Sequence, residues 1–326
     1  MIDGILLIGF GGPTPGCCAR RQDCPRTPGC EAECFVAGIL GDNPARSRRV
    51  AEVVAHYRRL GGFSPYNDLT FRQAAALKPE LARRGVALPI ACGFRHWTPW
   101  ADDALGALKA DGASSIALAI LAPHQSSVSW DWYIRHAAEA AERVGGIAIA
   151  AVAAPWWNHP GFIAAIADRL REVTAALPSE RIAKAELIFT AHAVPKPVES
   201  TSPYRTQFIE TARLAAAEFG HPAHTIAFQS QPGDSSIPWS VPDILSTISA
   251  VHARGARDVV IAAAGFLVDH TEVLYDLDVE AQELCARLGV GYHRARCVHD
   301  HPAFIAALAD RIAAAVAAPS ATELPT

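Results

Sequence analysis

Short apolar segments alternate with longer amphipathic ones along nearly the whole chain. The apolar segments are four to six residues long and are bounded by turn-forming or polar residues, which is typical of buried β-strands. The strands predicted in this way cover residues 5–8, 89–92, 116–121, 147–152, 187–190, 225–228 and 259–264. The helical patterns between them cover residues 45–60, 69–84, 100–110, 160–176, 204–219 and 242–253. Pro79 is expected to kink or break the second of these helices.

The alternation of strands and helices favours an α/β fold whose parallel sheets are covered by helices on both faces. An internal repeat indicates a duplication. The segment that begins His159-Pro-Gly-Phe-Ile-Ala-Ala returns 142 residues later as His301-Pro-Ala-Phe-Ile-Ala-Ala. We therefore predict two related lobes, at 1–154 and 155–300, and a C-terminal segment, 301–326, whose helix packs back on the first lobe.

The composition is that of a globular protein of 326 residues, half of them hydrophobic, with 29 basic and 33 acidic side chains. This hydrophobic fraction excludes wholesale disorder. The net charge of −4, without long blocks of like charge, does not support a nucleic-acid partner. No run of about 18 apolar residues occurs, so we expect no transmembrane segment, while peripheral membrane contact stays compatible with the sequence. The apolar run after Asp3 is too short for a signal peptide, so we expect a cytoplasmic protein with reduced thiols.

Ligands of open parallel sheets bind beyond the carboxyl ends of the strands, which draws attention to the residues after each predicted strand. The segment Gly9-Phe-Gly-Gly-Pro13 follows the first strand but lacks the full G-x-G-x-x-G pattern of dinucleotide binding. It predicts instead a tight loop that approaches a ligand or another segment. His192 follows the strand at 187–190 and has small neighbours. It either faces a cleft or is a hydrogen-bonded structural histidine.

Three carboxylates follow the strand at 259–264. Glu272, Asp276 and Glu280 are spaced four residues apart, which places them in one row on a helix. Such a row is either a solvated helix face or a path for cations or protons. Its start at a strand end, beside Asp269 and His270, favours the path. Aromatic residues also collect after several strands, where they either cover the core or line a slot for a large flat ligand.

The motifs around these positions resemble those of the ferrochelatase family, whose members insert Fe²⁺ into a porphyrin. The matching segments occur in the family's order and span nearly the whole chain. They are GILLIGFGGP (4–13), HYRRLGGFSPYND (56–68), GFRHWTPW (93–100), FTAHAVP (189–195), FQSQPG with IPW (228–239) and GFLVDHTEVLYDLDVE (265–280). The resemblance implies two Rossmann-like lobes with a porphyrin cleft between them, in agreement with the repeat. The porphyrin is either protoporphyrin IX or coproporphyrin III.

Two other functions are compatible with this pattern. One is that of a related class II chelatase acting on a precorrin-type ring, which the long match over 56–67 disfavours. The other is a non-catalytic bilobal protein that binds haem or metal, for which His192 would be dispensable.

The resemblance also implies roles for single residues. His192 corresponds to the family's catalytic histidine and Glu272 to its partner across the cleft, while Asp276 and Glu280 match a carboxylate row on a locally widened helix. These four are the implied metal-handling residues. The implied porphyrin contacts are Phe10, Arg95, Trp97, Ser126, Ser127, Trp239 and Phe266, with Arg205 as a further propionate candidate.

The implied reaction needs these residue types. A free porphyrin carries two pyrrole N–H protons that must leave as the metal enters, and an imidazole, with an ordinary pKa of about 6.5, is a suitable acceptor. Carboxylates attract a divalent cation, whereas too many ligands trap it. Apolar and aromatic walls stabilise a bent macrocycle whose nitrogen lone pairs face the ion.

Four positions depart from the family's pattern. Where many members place Tyr before Ser in a strand-end loop, this chain has His124-Gln125-Ser126-Ser127. Thr98 replaces the His of the usual Trp-His-Pro, Phe10 stands where a tyrosine could ligate iron, and Ala193 replaces a common Ser. These departures leave His192 and Glu272 intact and concern the porphyrin contacts and the choice of substrate.

Five of the eight cysteines fall within an insertion at 14–44: Cys17, Cys18, Cys24, Cys30 and Cys34. In a reducing compartment, thiolates in such a loop bind Zn²⁺ or an iron–sulfur cluster, and disulfides or free thiols are the alternatives. The spacing fits no standard zinc finger. The segment resembles one through which some bacterial ferrochelatases hold a [2Fe–2S] cluster with four cysteines. It therefore implies a [2Fe–2S] cofactor, with Fe²⁺ as substrate. Because five cysteines serve four ligand positions, the resemblance does not decide whether Cys17 or Cys18 is a ligand.

Overall fold

Two four-stranded parallel sheets with the same strand order form the centre of the computed structural model, which describes residues 1–16, 27, 29–41, 47–232 and 235–318. The first sheet has the order β2-β1-β3-β4 and the second the order β6-β5-β7-β8. The strands are β1 (Gly4–Gly9), β2 (Ile90–Phe94), β3 (Ser115–Ile120), β4 (Ala148–Val152), β5 (Glu186–His192), β6 (Thr225–Gln229), β7 (Asp258–Ala262) and β8 (Gly291–Ala295). The predicted α/β fold with two Rossmann-like lobes is confirmed.

Helices cover both faces of each sheet. Successive residues of a strand point to opposite faces, so each strand packs its side chains against helices on both sides. In β1, Ile5 and Leu7 pack on the side of α3, whereas Leu6 and Ile8 pack on the side of α4 and α5. The helices of the first half are α1 (Glu31–Leu40), α2 (Ser47–Arg59), α3 (Tyr66–Ala82), α4 (Ala101–Ala110) and α5 (Trp130–Val144). Those of the second half are α6 (Pro160–Thr174), α7 (Ser179–Lys184), α8 (Lys196–Thr201), α9 (Tyr204–Phe219), α10 (Ile244–Ala253), α11 (Thr271–Val273), the π-helix Leu274–Ala281, α12 (Gln282–Leu288) and α13 (Pro302–Ala317).

Several elements differ from the sequence-based expectation, among them the helix α5, which was not predicted, the strand β8 and the course of α3. The strand β8 was not predicted, because Gly-Tyr-His-Arg-Ala has no apolar run. It is an edge strand that pairs with β7, and four of its five residues are only half-buried. The helix α3 continues through Pro79 to Ala82, so the predicted break does not occur. Pro79 lies in the last turn of the helix, where it removes a single backbone donor.

The repeated segments form two helices that pack together, and each contacts the other through its capping histidine. His159 caps α6 by accepting a hydrogen bond from the Gly161 amide at 3.2 Å, and His301 caps α13 in the same way through Ala303 at 3.3 Å. Each cap also contacts an acid of the other repeat: His159 lies 3.5 Å from Asp310. His301 lies 3.5 Å from Asp168. The two helices therefore pack with an approximate twofold relation.

This helix pair connects the two sheets. The helix α6 packs against β7 and β8 of the second sheet, whereas α13 packs against β3, β4 and α3 on the side of the first. A side chain at Gly161 would collide with the Ala303 carbonyl, so the glycine permits the close crossing. The lobe boundaries at 154 and 300 stay predictions. Among the described residues, no helix is both long and apolar enough to span a bilayer.

Candidate active site

Residues that follow β1, β3, β5 and β7 line one cavity between the two sheets, with a volume of about 350 Å³. This volume is in the range of small-molecule sites, which lie outside the carboxyl ends of parallel strands. The first half of the chain contributes the loop at Phe10 and the segment 121–129. The second half contributes residues 192–195 and the segment 265–272.

A close approach of two backbones brings the segment after β7 onto the end of β5. The Gly265 amide donates to the Thr190 carbonyl at 3.0 Å. A Cβ atom at Gly265 would lie 2.5 Å from that of Ala191, closer than side chains tolerate. Glycine is therefore required here, and the contact places the turn that leads to Glu272 beside His192.

His192 and Glu272 face each other across the cavity. The two side chains are about one-third exposed, and His192 Nε2 lies 3.5 Å from Glu272 Oε2. His192 Nδ1 lies within hydrogen-bond distance of the Ala193 carbonyl oxygen. A carbonyl can only accept, so Nδ1 carries the proton and Nε2 presents its lone pair. Two acceptors thus face one another, an arrangement that favours a proton or a cation between them.

Two residues that the sequence reasoning did not assign support this pair. His270 accepts a hydrogen bond from the Glu272 amide at 3.3 Å and so caps α11. Burial lowers the pKa of His270, which keeps the imidazole neutral beside the carboxylate. The hydroxyl of Tyr204 donates to the His192 carbonyl at 2.9 Å and fixes the end of β5. The position of His270 directly after a strand-end loop was the available signal, whereas nothing in the sequence pointed to Tyr204.

The carboxylate row continues from Glu272 onto the π-helix. Asp276 accepts hydrogen bonds from Ser230 Oγ at 2.5 Å and from Gln229 Nε2 at 3.3 Å. Burial, reinforced by Glu272 and Glu280, raises the pKa of Asp276 to about 7. Burial also raises the pKa of Glu280, which lies at the outer end of the row.

The π-helix agrees with the widened helix that the resemblance implies, and such segments are frequent at functional sites. Within the described ranges, no three His, Cys, Asp or Glu side chains converge as a metal-binding group.

Four of the porphyrin contacts expected from the sequence line the cavity. They are Phe10, Ser126, Trp239 and Phe266. The Phe266 ring lies 6.4 Å from that of His192, so the second half provides an aromatic wall next to the imidazole. Besides three tyrosines, the polar residues that line the cavity from the first half are Ser64, Thr70, Gln73, His124, Ser126 and Ser129.

The other expected contacts lie elsewhere. Arg95 places its guanidinium 4.0 Å from the centre of the Trp132 ring. Trp97 is buried and donates from Nε1 to the Thr14 hydroxyl at 2.9 Å. Ser127 is exposed, and Arg205 contacts Glu199 at 3.3 Å. None of these four is among the residues that line the cavity.

Two of the five clustered cysteines fall in the described part of the chain. Cys30 precedes α1 and Cys34 lies one turn later, and both are buried in a cluster with Trp97 and Tyr57. Tyr57 also lines the cavity, so the cysteine segment adjoins the wall of the candidate site. The predicted ligands Cys17, Cys18 and Cys24 lie outside the described residues.

The fold is that of a chelatase. SirB from Bacillus subtilis, solved with Fe³⁺, superposes with a TM-score of 0.57 at 15% identity over 97% of this chain and 98% of that chain. An identity this low establishes the shared architecture alone.

Sequence comparison identifies the family. The ferrochelatase family model matches residues 30–316. A ferrochelatase of Rhodopirellula baltica is 33% identical over 93% of this chain and 83% of its own length. A coproporphyrin III ferrochelatase of Mycolicibacterium vanbaalenii is 31% identical over 95% of this chain and 89% of its own length. The chain belongs to the ferrochelatase family, the enzymes that insert ferrous iron into a porphyrin in haem biosynthesis, and its substrates are a porphyrin and Fe²⁺.

Proposed function

We propose that His192 and Glu272 carry out iron insertion in the cavity between the lobes. The observation that carries this assignment is the imidazole–carboxylate pair, 3.5 Å apart, where an aromatic cavity meets the carboxylate row. The reaction exchanges two pyrrole protons for one Fe²⁺, so the site must accept protons and deliver a cation at the same place.

The first step of the proposed mechanism is porphyrin binding between the two halves. Phe10, Trp239 and Phe266 contact the macrocycle, and their apolar surfaces exclude water from its face. His192 Nε2, whose lone pair points towards Glu272, accepts a pyrrole proton. Glu272 stabilises the imidazolium that forms, as a carboxylate at this distance does.

The second step is delivery of iron along the carboxylate row. Fe²⁺ passes from Glu280 to Asp276 and then to Glu272, exchanging water for carboxylate oxygen. His192, whose side chain is about one-third exposed, releases the first proton to water and then accepts the second pyrrole proton as the nitrogen lone pairs bind the metal. Because each stage offers few ligands, the ion is not trapped before it reaches the macrocycle.

We propose coproporphyrin III as the porphyrin. The Mycolicibacterium vanbaalenii relative carries that substrate in its name. The polar side of the cavity, with Ser64, Thr70, Gln73 and Ser126, also supports this choice, because hydroxyl and amide groups can donate hydrogen bonds to the propionate that coproporphyrin III carries on every ring.

Turnover on the two porphyrins tests this choice. Initial rates are measured anaerobically, from loss of porphyrin fluorescence, on coproporphyrin III and on protoporphyrin IX. We expect a higher kcat/KM for coproporphyrin III, and a preference for protoporphyrin IX would overturn the assignment while leaving the family's reaction in place.

We further propose that the cysteine segment holds a [2Fe–2S] cluster. Five thiols within residues 17–34 supply more than the four ligands a cluster needs, and the described pair, Cys30 and Cys34, is one helical turn apart. The cluster would adjoin the cavity wall without taking part in insertion. Anaerobically purified protein should show visible absorption with iron and acid-labile sulfide, and a colourless, iron-free protein would contradict the proposal.

We also propose a cytoplasmic location. Cys92, Cys285 and Cys297 are buried and form no disulfide, which suits a reducing compartment. Cell fractionation tests this location, with recovery among secreted proteins as the contrary result.

A further inference from the structure

Arg294 on β8 binds two carboxylates at once. Its Nε and Nη2 atoms lie 2.5 and 2.6 Å from the two oxygens of Asp278, and its Nη1 lies 2.7 Å from Asp269 Oδ1. The side chains of Arg294 and Asp269 are 9% and 8% exposed, so this contact is shielded from water. A guanidinium presents its donors in a rigid plane and can serve two acids in fixed directions.

The two acids belong to the segments proposed to handle iron. Asp269 directly precedes His270, which caps the helix that carries Glu272. Asp278 lies on the π-helix two residues after Asp276. One side chain therefore connects the loop after β7 to the helix that carries the rest of the carboxylate row.

The same network reaches the first half of the chain. Asp269 Oδ2 lies 2.8 Å from His299 Nε2, and the His299 carbonyl accepts from Gln73 Nε2 at 2.9 Å. Gln73 belongs to α3 and lines the cavity. His299 has a φ of 48°, a left-handed conformation that non-glycine residues rarely adopt, and its amide donates to the Leu267 carbonyl at 2.8 Å. The turn at His299 is thus held from several sides.

We propose that Arg294 is a positioning residue for iron delivery: it fixes the continuous helix that carries Glu272, Asp276 and Glu280 against Asp269 in the loop after β7, so that the carboxylate row keeps its direction towards His192. Neither Arg294 nor Asp278 is among the residues that line the cavity, so substituting either residue should have little effect on porphyrin binding. This inference rests on the proposed function, because it assumes that iron travels along the row.

The test compares Fe²⁺ and porphyrin parameters in the variant Arg294→Lys. Lysine keeps the positive charge but cannot hold both acids in a planar fork. We expect kcat/KM for Fe²⁺ to fall about 10- to 100-fold, the range found when groups that orient metal ligands are removed. The Kd of the porphyrin, from fluorescence quenching, should stay close to that of the unchanged protein. Asp278→Asn removes the charge and one of the two hydrogen bonds that Arg294 donates to the π-helix, and it should lower kcat/KM for Fe²⁺ in the same direction.

Arg181→Lys is the matched control. Arg181 forms a comparable fork with Asp258 of β7, at 3.1 Å through Nε and 2.5 Å through Nη2, and neither residue lines the cavity. Its kinetic parameters should match those of the unchanged protein. Unaltered Fe²⁺ kinetics in Arg294→Lys, or a loss of porphyrin affinity as large as the loss in kcat/KM for Fe²⁺, would overturn the inference. If the unchanged protein inserts iron and His192→Ala does not, such a result removes the role of Arg294 alone.

Discussion

The two sheets have the same strand order but carry different chemistry at their strand ends. After β1 and β3 the chain places an aromatic ring, aliphatic side chains and hydroxyl groups, as at Phe10, Leu121 and Ser126, together with the buried imidazole of His124. After β5 and β7, the corresponding strands of the second sheet, it places the imidazoles of His192 and His270. The duplicated scaffold thus provides two facing edges, and the reactive groups are concentrated on one of them.

This difference separates binding from chemistry. The first edge can orient a macrocycle, but the imidazole that it places in the cavity wall, that of His124, is buried and lies 3.0 Å from Thr211 Oγ1, and burial lowers its pKa to about 3. Among the described residues, no carboxylate of the first half lines the cavity. The described part of this edge therefore offers neither an effective base nor a carboxylate for a metal ion. The second edge has both, within 3.5 Å of each other. Substitutions of His192 or Glu272 on the second lobe should therefore lower kcat, whereas substitutions in the apolar wall of the first lobe should weaken porphyrin binding.

The largest effect is expected on the second lobe from Glu272→Gln. The amide keeps the size of the side chain but neither stabilises an imidazolium nor binds Fe²⁺ as a carboxylate does. We expect kcat to fall by about 100-fold or more, in the range of general acid–base contributions. Stopped-flow fluorescence under anaerobic conditions gives the rate, and circular dichroism serves as the folding control. A rate within a few-fold of the unchanged protein would contradict the role of Glu272.

A smaller and different effect is expected on the first lobe from Phe10→Ala. Removing the ring takes apolar surface from the cavity wall, and each loss of about 1.4 kcal/mol corresponds to a tenfold change in the dissociation constant. We expect the Kd of the porphyrin to rise about 3- to 10-fold with kcat nearly unchanged. Phe71→Ala is the matched control, because Phe71 is an exposed phenylalanine of α3 that is not among the residues lining the cavity. A fall in kcat without a change in Kd would contradict the division between the lobes.

The smallest effect concerns the stability of the metal-free protein. The raised pKa of Asp276, about 7 against an ordinary 3.8, means that the folded protein keeps a proton that the unfolded chain loses between these pH values. The stabilisation from this group is fully present below pH 3.8 and is lost as the pH rises through 7. Asp276→Asn removes the buried charge, and its neighbours Ser230 and Gln229 can still bind the amide oxygen.

Asp276→Asn should therefore raise Tm by about a few degrees at pH 8 and by less at pH 5. Thermal unfolding in the presence of a chelator measures this difference. A stabilisation that does not change with pH would show that the carboxyl does not titrate as its surroundings imply.

The sequence was sufficient for the features that depend on local patterns. Apolar runs predicted seven of the strands, the repeat predicted two related lobes, and the motifs drew attention to His192 and Glu272. The strand β8 was missed because an edge strand needs no apolar run. Trp97 and Arg95 were expected near the porphyrin, but their packing partners, Thr14 and Trp132, come from segments whose contacts no local pattern reveals.

Long-range polar contacts were equally inaccessible. Arg294 lies 16 residues along the chain from Asp278 and 25 from Asp269. Nothing in the sequence around it distinguishes it from an arginine that is exposed to solvent. Each capping histidine contacts an acid of the other repeat, as His159 contacts Asp310, and this too could be seen only in the structure. Spacing gave the carboxylate row but not the π-helix that carries two of its members.

Single-turnover iron insertion by His192→Ala tests the central claim most directly. The variant is first saturated with porphyrin, and fluorescence quenching establishes that binding and fold are intact. Fe²⁺ is then added anaerobically and porphyrin loss is followed with time. We expect normal porphyrin binding with insertion slowed by about 100- to 10,000-fold, the contribution of a positioned base. Insertion within tenfold of the unchanged protein would contradict the assignment of the chemistry to His192.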